Sequence, residues 1–574
     1  MQILSALKLN LPAKKRIQLA PWQVVVLLSA YIGIALNAAV FFKRTADEST
    51  PYLTILAELG LVFAFTALLV SLVALSGKWL ARVSIVLLLC ISVFASYYMT
   101  FFNVVVGYGV VQAVLTTDVD LSKEAVGFGL LLWFMVLAVI PLTLWWRYVE
   151  VRRDQVSGWS DVAKNIAKKI GLVLLTAFAF AAVAQYVNSF KNERIHLGLD
   201  VGQDIGKASL VAHSYVPSNW VAGVGMSVLS VADNLLNTNE KTDPTKLFHY
   251  QMDAAADDVV VVIVIGESAR SGSFGLLGYE RPTTPFLAAE KNLAAFKGVA
   301  CNTSTKLALP CMFVRPQSVV DNGLQAPQVL EQSVFSVFNK LGFKTELFAM
   351  QSEAWFYNSI KPNAFKIREE IAADPNHRGK PMIDMILRDE MNVALAKNPK
   401  GRQAIVLHTK GSHFSYTSRY PREFAKFQPE CSGVDGSCSK QTMINSYDNS
   451  ILYTDAFLKS LMTSLAGKKA VLIYTSDHGE TIEENRHFHA TPKPFAPPEQ
   501  LDVPLIFWAS EPYLNANPAN KKAFERLQSV AKSPKSSEAG KTGVGHANLF
   551  DSMLGCLGIT SNNGGINDKY NLCH

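Results

Sequence analysis

Hydrophobic residues are spread unevenly along the chain. Residues 22–42, WQVVVLLSAYIGIALNAAVFF, form an almost uncharged run, long enough to cross ~30 Å of hydrocarbon as a helix. Similar runs follow at about residues 52–76, 79–101, 126–146 and 170–187, so the pattern predicts five spanning helices within residues 1–189. A cleavable signal peptide does not explain the first run, which is too long and is followed by Lys43-Arg44 instead of a small-residue cleavage site. Glu58 interrupts the second run close to one end, where an interfacial position is expected. Beyond about residue 248 the pattern changes. Val259–Ile265 is a continuous β-branched run, and RQAIVLHTKGSH, KKAVLIYTSDHGE and, more weakly, FKTELFAMQS and VPLIFWAS repeat it. Runs without a polar face read as buried parallel strands. Helical stretches such as NSYDNSILYTDAFLKSLMTSL lie between them, which predicts an α/β domain over 248–574 with a mainly parallel sheet flanked by helices. Residues 190–247 are a connector whose stretch SYVPSNWVAGVGMSVLSVADNLL suits either a membrane interface or ordinary packing.

Charge orients this arrangement. Lys8, Lys14, Lys15 and Arg16 precede the first run, Lys78 and Arg82 flank the second turn, and Arg147, Arg152, Arg153, Lys164, Lys168 and Lys169 crowd the loop before the fifth. The opposite loops carry Asp47, Glu48, Asp118 and Asp120. Cations favour the cytoplasmic side, so the N-terminus is expected there and everything after the fifth helix outside. The net charge of +7 is largely this loop bias, and a nucleic-acid partner is not implied. Of seven cysteines, Cys90 lies in the third run. The other six lie in the exported part at short spacings that suggest the disulfides Cys301–Cys311, Cys431–Cys438 and Cys556–Cys573.

The chemistry collects where strands end. The three clearest strands run into Glu267, into His408 with His413 close behind, and into Asp477-His478 with Glu480. Ligands in α/β sheets bind beyond the carboxyl ends of strands, and oxygen and nitrogen donors of this kind suit Zn²⁺. In RHFHATP, His487 and His489 stand two apart, and the sequence leaves open which of them faces the site. The segment CNTSTKLALPC encloses Thr303, Ser304, Thr305 and Lys306 between two cysteines. A hydroxyl is a poor nucleophile unless activated, and metal coordination is one way to activate it. The spacing does not choose among the three hydroxyls, which could also cap a helix starting near Lys306.

The stretches GESARSGSFGLLGYERPTTP, CNTSTKLALPCMF, HTKGSHFSYTSRYP and SDHGETIEENRHFHATP resemble the lipopolysaccharide phosphoethanolamine transferases of the alkaline phosphatase/sulfatase superfamily. The resemblance covers nearly the whole chain. The stretch FASYYMTFFNVVVGYGVVQAVLTTDVDLSKE, HTKGSHF and the ending CLGITSNNGGIND are most similar to the branch acting on a Kdo sugar of Kdo–lipid A. This likeness implies an inner-membrane protein with a periplasmic catalytic domain, expected as a monomer. Its donor would be phosphatidylethanolamine and its acceptor Kdo–lipid A. The implied zinc ligands are Glu267, Thr305, Asp477 and His478, with Thr305 also the nucleophile that carries phosphoethanolamine after diacylglycerol leaves. His413 and His489, with the acidic Glu480, are implied to hold the substrate phosphate or a second divalent cation. Ser268 stands where threonine is common, Ala490 replaces a frequent glycine, and His487 is an additional candidate, as is Asn358. Lys306 and Lys410 occupy positions that are uncharged in relatives modifying lipid A phosphates, so they could select the Kdo carboxylate or merely point to solvent. The rival activities are transfer to a lipid A phosphate and a membrane-tethered metal-dependent phosphodiesterase or phosphatase. A glycerol-phosphate polymerase and a transporter fit the motifs less well.

Overall fold

The computed structural model describes residues 16–46, 51–102, 106–116, 127–152, 158–189, 207–236, 241–252, 257–321, 327–431, 438–483, 486–532 and 544–574. The chain divides into two compact units, one from residues 1–100 with 126–222 and one from residues 101–125 with 223–574. In the first unit, five helices are long and apolar enough to cross a membrane: Pro21–Lys43, Tyr52–Val73, Lys78–Phe101, Phe128–Tyr148 and Trp159–Ser189. The fifth starts well before the apolar run at 170, because WSDVAKNIAKK is polar but compatible with a helix. Glu58 is enclosed within this unit and accepts a hydrogen bond from the Tyr215 hydroxyl; the interfacial position expected from its place in the run gives way to a buried, partnered carboxylate. Asn37 does similar work, exchanging two hydrogen bonds with the backbone of Val216 at 2.7 and 2.9 Å. The connector contributes helices Lys207–Ser214 and Ser218–Leu236, while residues 190–206 and 237–240 lie outside the described residues.

The second unit is built on a seven-stranded sheet. In chain order the strands are β1 (Val260–Gly266), β2 (Leu293–Val299), β3 (Lys344–Ala349), β4 (Ala364–Lys366), β5 (Gln403–His408), β6 (Ala470–Ser476) and β7 (Asp502–Ala509). Their spatial order is β2-β7-β6-β1-β5-β3-β4. Only β7 runs against its neighbours; the remaining pairings are parallel. In β1 the side chains of Val261, Ile263 and Ile265 enter one apolar cluster and those of Val260, Val262 and Val264 the other. Both faces are covered, which is why the strand lacks a polar period. The motif GYERPTTP clamps its loop to the long helix Lys440–Leu465: the Tyr279 hydroxyl and Arg281 both donate to Asp448, while the Phe286 and Leu287 amides donate to Asp455. All three expected disulfides are present, and Cys90 is a free thiol.

Candidate active site

Strand register brings the first two candidate ligands together. Gly266 at the end of β1 is paired with Ser476 at the end of β6, and Ile265 is paired with His408 of β5. Glu267 and Asp477 therefore leave the sheet side by side. The Asp477 amide closes the step by donating to the Gly266 carbonyl at 3.0 Å. The next residue, Ser268, sits at φ +56°, in the left-handed region that non-glycine residues usually avoid, and its hydroxyl donates to Glu267 Oε1 at 2.7 Å. In the loop after the neighbouring strand β5, Gly411 of HTKGSH approaches so closely that a Cβ there would lie 2.7 Å from the Glu267 carbonyl oxygen. Only glycine fits.

Glu267, Asp477 and His478 are fully buried and present one ligand atom each within 4.8 Å of one another. His478 Nδ1 donates to the Gly479 carbonyl at 2.8 Å, which leaves Nε2 with a lone pair in the neutral ring. That Nε2 lies 3.2 Å from Glu267 Oε1 and 3.5 Å from Asp477 Oδ2, and neither it nor Asp477 Oδ2 has a hydrogen-bond partner among the described residues. Two buried acceptors, His478 Nε2 and Asp477 Oδ2, facing the Glu267 carboxylate without a donor are costly unless a cation or proton lies between them. Protons report the same demand. Burial, reinforced by the Glu267 charge, pushes the Asp477 carboxyl up to about 8. Burial opposes charge on His478, but Asp477 and Glu267 overcome it and push the imidazole up to about 10. Burial likewise works against the Glu267 carboxylate, and His478, His413 and His489 together hold it well below the usual range. The donor set fits Zn²⁺.

Position separates the three hydroxyls. Thr303 Oγ1 donates to the Thr491 carbonyl at 2.6 Å, and Ser304 precedes the helix Thr305–Met312 without making a side-chain cap. The Thr305 hydroxyl donates to Glu267 Oε2 at 3.0 Å. The helix begins at Thr305, so its N-terminal dipole also faces the cluster. The loop is clipped to the segment after His489 by Ala490 N–H to the Thr303 carbonyl at 2.7 Å and by Lys493 Nζ to the Cys301 carbonyl at 2.9 Å.

Of the two close histidines, His489 joins the cluster. Its ring stacks on His478 with centroids 4.5 Å apart, and its Nδ1 lies 3.1 Å from Glu480 Oε2. His487 instead stacks on Phe414 and meets Tyr416 and Phe102; residues two apart share a face only within a continuous strand, and the strand Arg486–Phe488 ends before His489. His413 lies beside His489 at a centroid distance of 5.6 Å, and burial holds its imidazole well below the usual range, leaving a neutral donor. His408 turns away from this group to pair with the Tyr357 hydroxyl at 2.8 Å. Asn358 is not brought in. Its helix, Ala354–Ser359, buries Phe356 and Tyr357 and leaves Asn358 exposed. Lys410 is buried, which overturns the reading that it points to solvent. Lys306 is half-buried with its ammonium 3.9 Å above the Trp355 ring. The sequence reading missed Gln351, whose amide donates to Glu267 Oε2 at 2.7 Å; it follows β3 at the same sheet edge, so the strand-end rule applied to FKTELFAMQS was the available signal.

Comparison with known proteins identifies the family. The sulfatase family model matches residues 260–559, and the model described as phosphoethanolamine transferase EptA/EptB matches residues 62–199. The Kdo(2)-lipid A phosphoethanolamine 7''-transferase of Escherichia coli K12 is 43% identical over 557 residues, covering 96% of each chain. The protein of that name from Salmonella typhimurium is 44% identical with the same coverage. The integral membrane lipooligosaccharide phosphoethanolamine transferase A of Neisseria meningitidis shares the fold, with a TM-score of 0.78 at 24% identity over 96% of this chain and 98% of that one. The chain is a multi-pass membrane protein with an alkaline phosphatase/sulfatase-type catalytic unit, and it belongs to the phosphoethanolamine transferase family.

Proposed function

We propose that the protein transfers phosphoethanolamine from phosphatidylethanolamine to a Kdo sugar of Kdo(2)-lipid A, with Thr305 as the transient carrier. One observation carries the chemistry: the Thr305 hydroxyl donates to the same buried Glu267 carboxylate that faces His478 and Asp477. The acceptor rests on the full-length likeness to the two Kdo(2)-lipid A enzymes. The same likeness supports an inner-membrane location with the second unit in the periplasm, residues 1–189 as the membrane domain, 190–247 as connector and 248–574 as catalytic domain.

Glu267, Asp477, His478 and Thr305 would hold Zn²⁺, which supplies a Lewis acid that favours the ionised hydroxyl and offsets phosphoryl charge. The chain's own residues then act as follows. Thr305 oxygen attacks the donor phosphorus as its proton leaves toward the carboxylates it touches. The bond from phosphorus to the glycerol oxygen breaks, and diacylglycerol departs with a proton. In the second half, an acceptor hydroxyl attacks the phosphoethanolamine on Thr305, the bond from Thr305 oxygen to phosphorus breaks, and Thr305 recovers its proton. His489, with Nδ1 on Glu480, keeps its other nitrogen for the phosphoryl group or for proton transfer. The neutral His413 stands beside it as a further donor. Mass spectrometry of lipopolysaccharide core fragments from cells with and without the protein tests the reading. A phosphoethanolamine increment on Kdo supports it, and an increment on a lipid A phosphate overturns the acceptor assignment.

A further inference from the structure

Outside the cluster, one buried histidine joins two elements that chemistry must hold in register. His546 is 1% exposed and arrives from GVGHANLF, near the C-terminus. Its Nδ1 accepts the Cys301 amide at 3.1 Å, and its Nε2 donates to the Ser476 carbonyl at 2.9 Å. These two bonds require one neutral tautomer, with the proton on Nε2. Cys301 opens the loop that presents Thr305, and Ser476 immediately precedes Asp477-His478. The ring is therefore a rigid spacer between the hydroxyl and its partner ligands. The backbone is seated with equal tightness: Gly545 bridges Val299 so closely that a Cβ would meet its carbonyl oxygen at 2.2 Å. Burial pushes the imidazole down to about 4, so the neutral form that makes both bonds holds near neutrality.

We infer that His546 is a positioning residue for the transfer reaction, setting the distance between Thr305 and the Asp477-His478 pair through its two hydrogen bonds. This rests on the reading of Thr305 as nucleophile. A displacement of ~1 Å in such a pairing is enough to cost ~10²-fold in rate, although His546 touches neither substrate nor metal ligand side chains.

The test uses the full-length protein in detergent, with fluorescent phosphatidylethanolamine as donor and Kdo(2)-lipid A as acceptor. His546→Asn keeps an acceptor near the position of Nδ1, His546→Gln keeps a donor near Nε2, and His546→Leu keeps neither. The inference expects kcat per folded molecule to fall ~10²-fold in His546→Leu with KM for the donor little changed, and each amide variant to recover part of that loss. Zinc affinity, measured by competition with a chelator, should weaken in His546→Asn and His546→Leu, which lose the bond to the Ser476 carbonyl. Unchanged kcat per folded molecule in both amide variants, with melting temperature alone reduced, would show a structural role and overturn it. Should His546→Leu fail to fold, the two amide variants still decide. Thr305→Ala is run in parallel: if it retains activity, the nucleophile reading fails, whereas inactive Thr305→Ala beside fully active His546 variants sinks this inference alone.

Discussion

Ala490 donates its backbone N–H to the Thr303 carbonyl over 2.7 Å from a left-handed conformation, φ +60°. The turn it makes brings His489 to His478 while Thr491 offers its carbonyl to Thr303. A Cβ in this region costs ~1–2 kcal/mol, and glycine would relieve it at an entropic cost of ~0.4–1 kcal/mol in the unfolded chain. Ala490→Gly is therefore expected to stabilise slightly, by ~0.5 kcal/mol. Ala490→Val should destabilise by ~2 kcal/mol or more, because a β-branched side chain fits neither this backbone nor this buried site. Thermal melts of the detergent-solubilised chain check both, and a Val variant as stable as wild type contradicts the account.

Under the proposed mechanism Thr305→Ala removes the attacking oxygen but only one partner of the Glu267 carboxylate, which keeps Ser268 and Gln351. Transfer should drop by ~10³-fold or more while the melting temperature stays close to wild type. A variant with full activity would mean that Thr305 is not the carrier.

Metal binding should appear as stability. A ligand held only by the folded state stabilises it by ~2.7 kcal/mol at a hundredfold excess over its dissociation constant. Zn²⁺ added to chelator-treated protein is thus expected to raise the melting temperature. Glu267→Gln, which removes the charge that His478 and Thr305 both face, should abolish most of that rise. An equal rise in Glu267→Gln would move the metal elsewhere.

His408, paired with the Tyr357 hydroxyl, offers a pH test. Burial pushes its imidazole down to about 4, against ~6.5 in an unfolded chain. Between these values the unfolded state binds the extra proton, so stability falls as pH drops. The His408 contribution is fully present above pH ~6.5 and is lost progressively toward pH 4, a span of ~3 kcal/mol. His408→Gln should flatten the melting-temperature profile between pH 6.5 and 4 relative to wild type. Parallel profiles would show that His408 does not titrate in that window.

The parts of this site that were legible in sequence are those a strand end delivers. Glu267 and Asp477 follow continuous apolar runs whose parallel register was implied by the lack of a wet face. The edge elements gave weaker signals. In β2, LAAFKGV has alternating partial exposure and small residues, and β4 is only three residues long. The reversed direction of β7 cannot be read from a run that is apolar either way. His487 and His489 would share a face in a continuous strand, and what separates them is the end of the strand at Phe488 before the left-handed turn at Ala490. His546 had no local pattern at all, because its partner Cys301 lies 245 residues away, and such closure depends on tertiary packing.

Lys410 supplies the most direct test of acceptor choice. Its backbone N–H is fixed by Asp384 Oδ1 at 2.7 Å and its side chain is buried, in the loop that carries His413. A cation fixed there can favour an acceptor bearing a carboxylate, as Kdo does. A charge-assisted hydrogen bond contributes ~1.5–3 kcal/mol, which corresponds to a preference of about tenfold or more. Lys410→Met keeps the length and apolar packing of the stem and removes only the charge. Mass spectrometry should then show the ratio of Kdo to lipid A phosphate products falling by about tenfold. Lys306→Met, measured in parallel, separates the contribution of the ammonium stacked on Trp355. If Lys410→Met leaves the ratio where wild type puts it, the buried cation serves only its own loop and acceptor selection has another source.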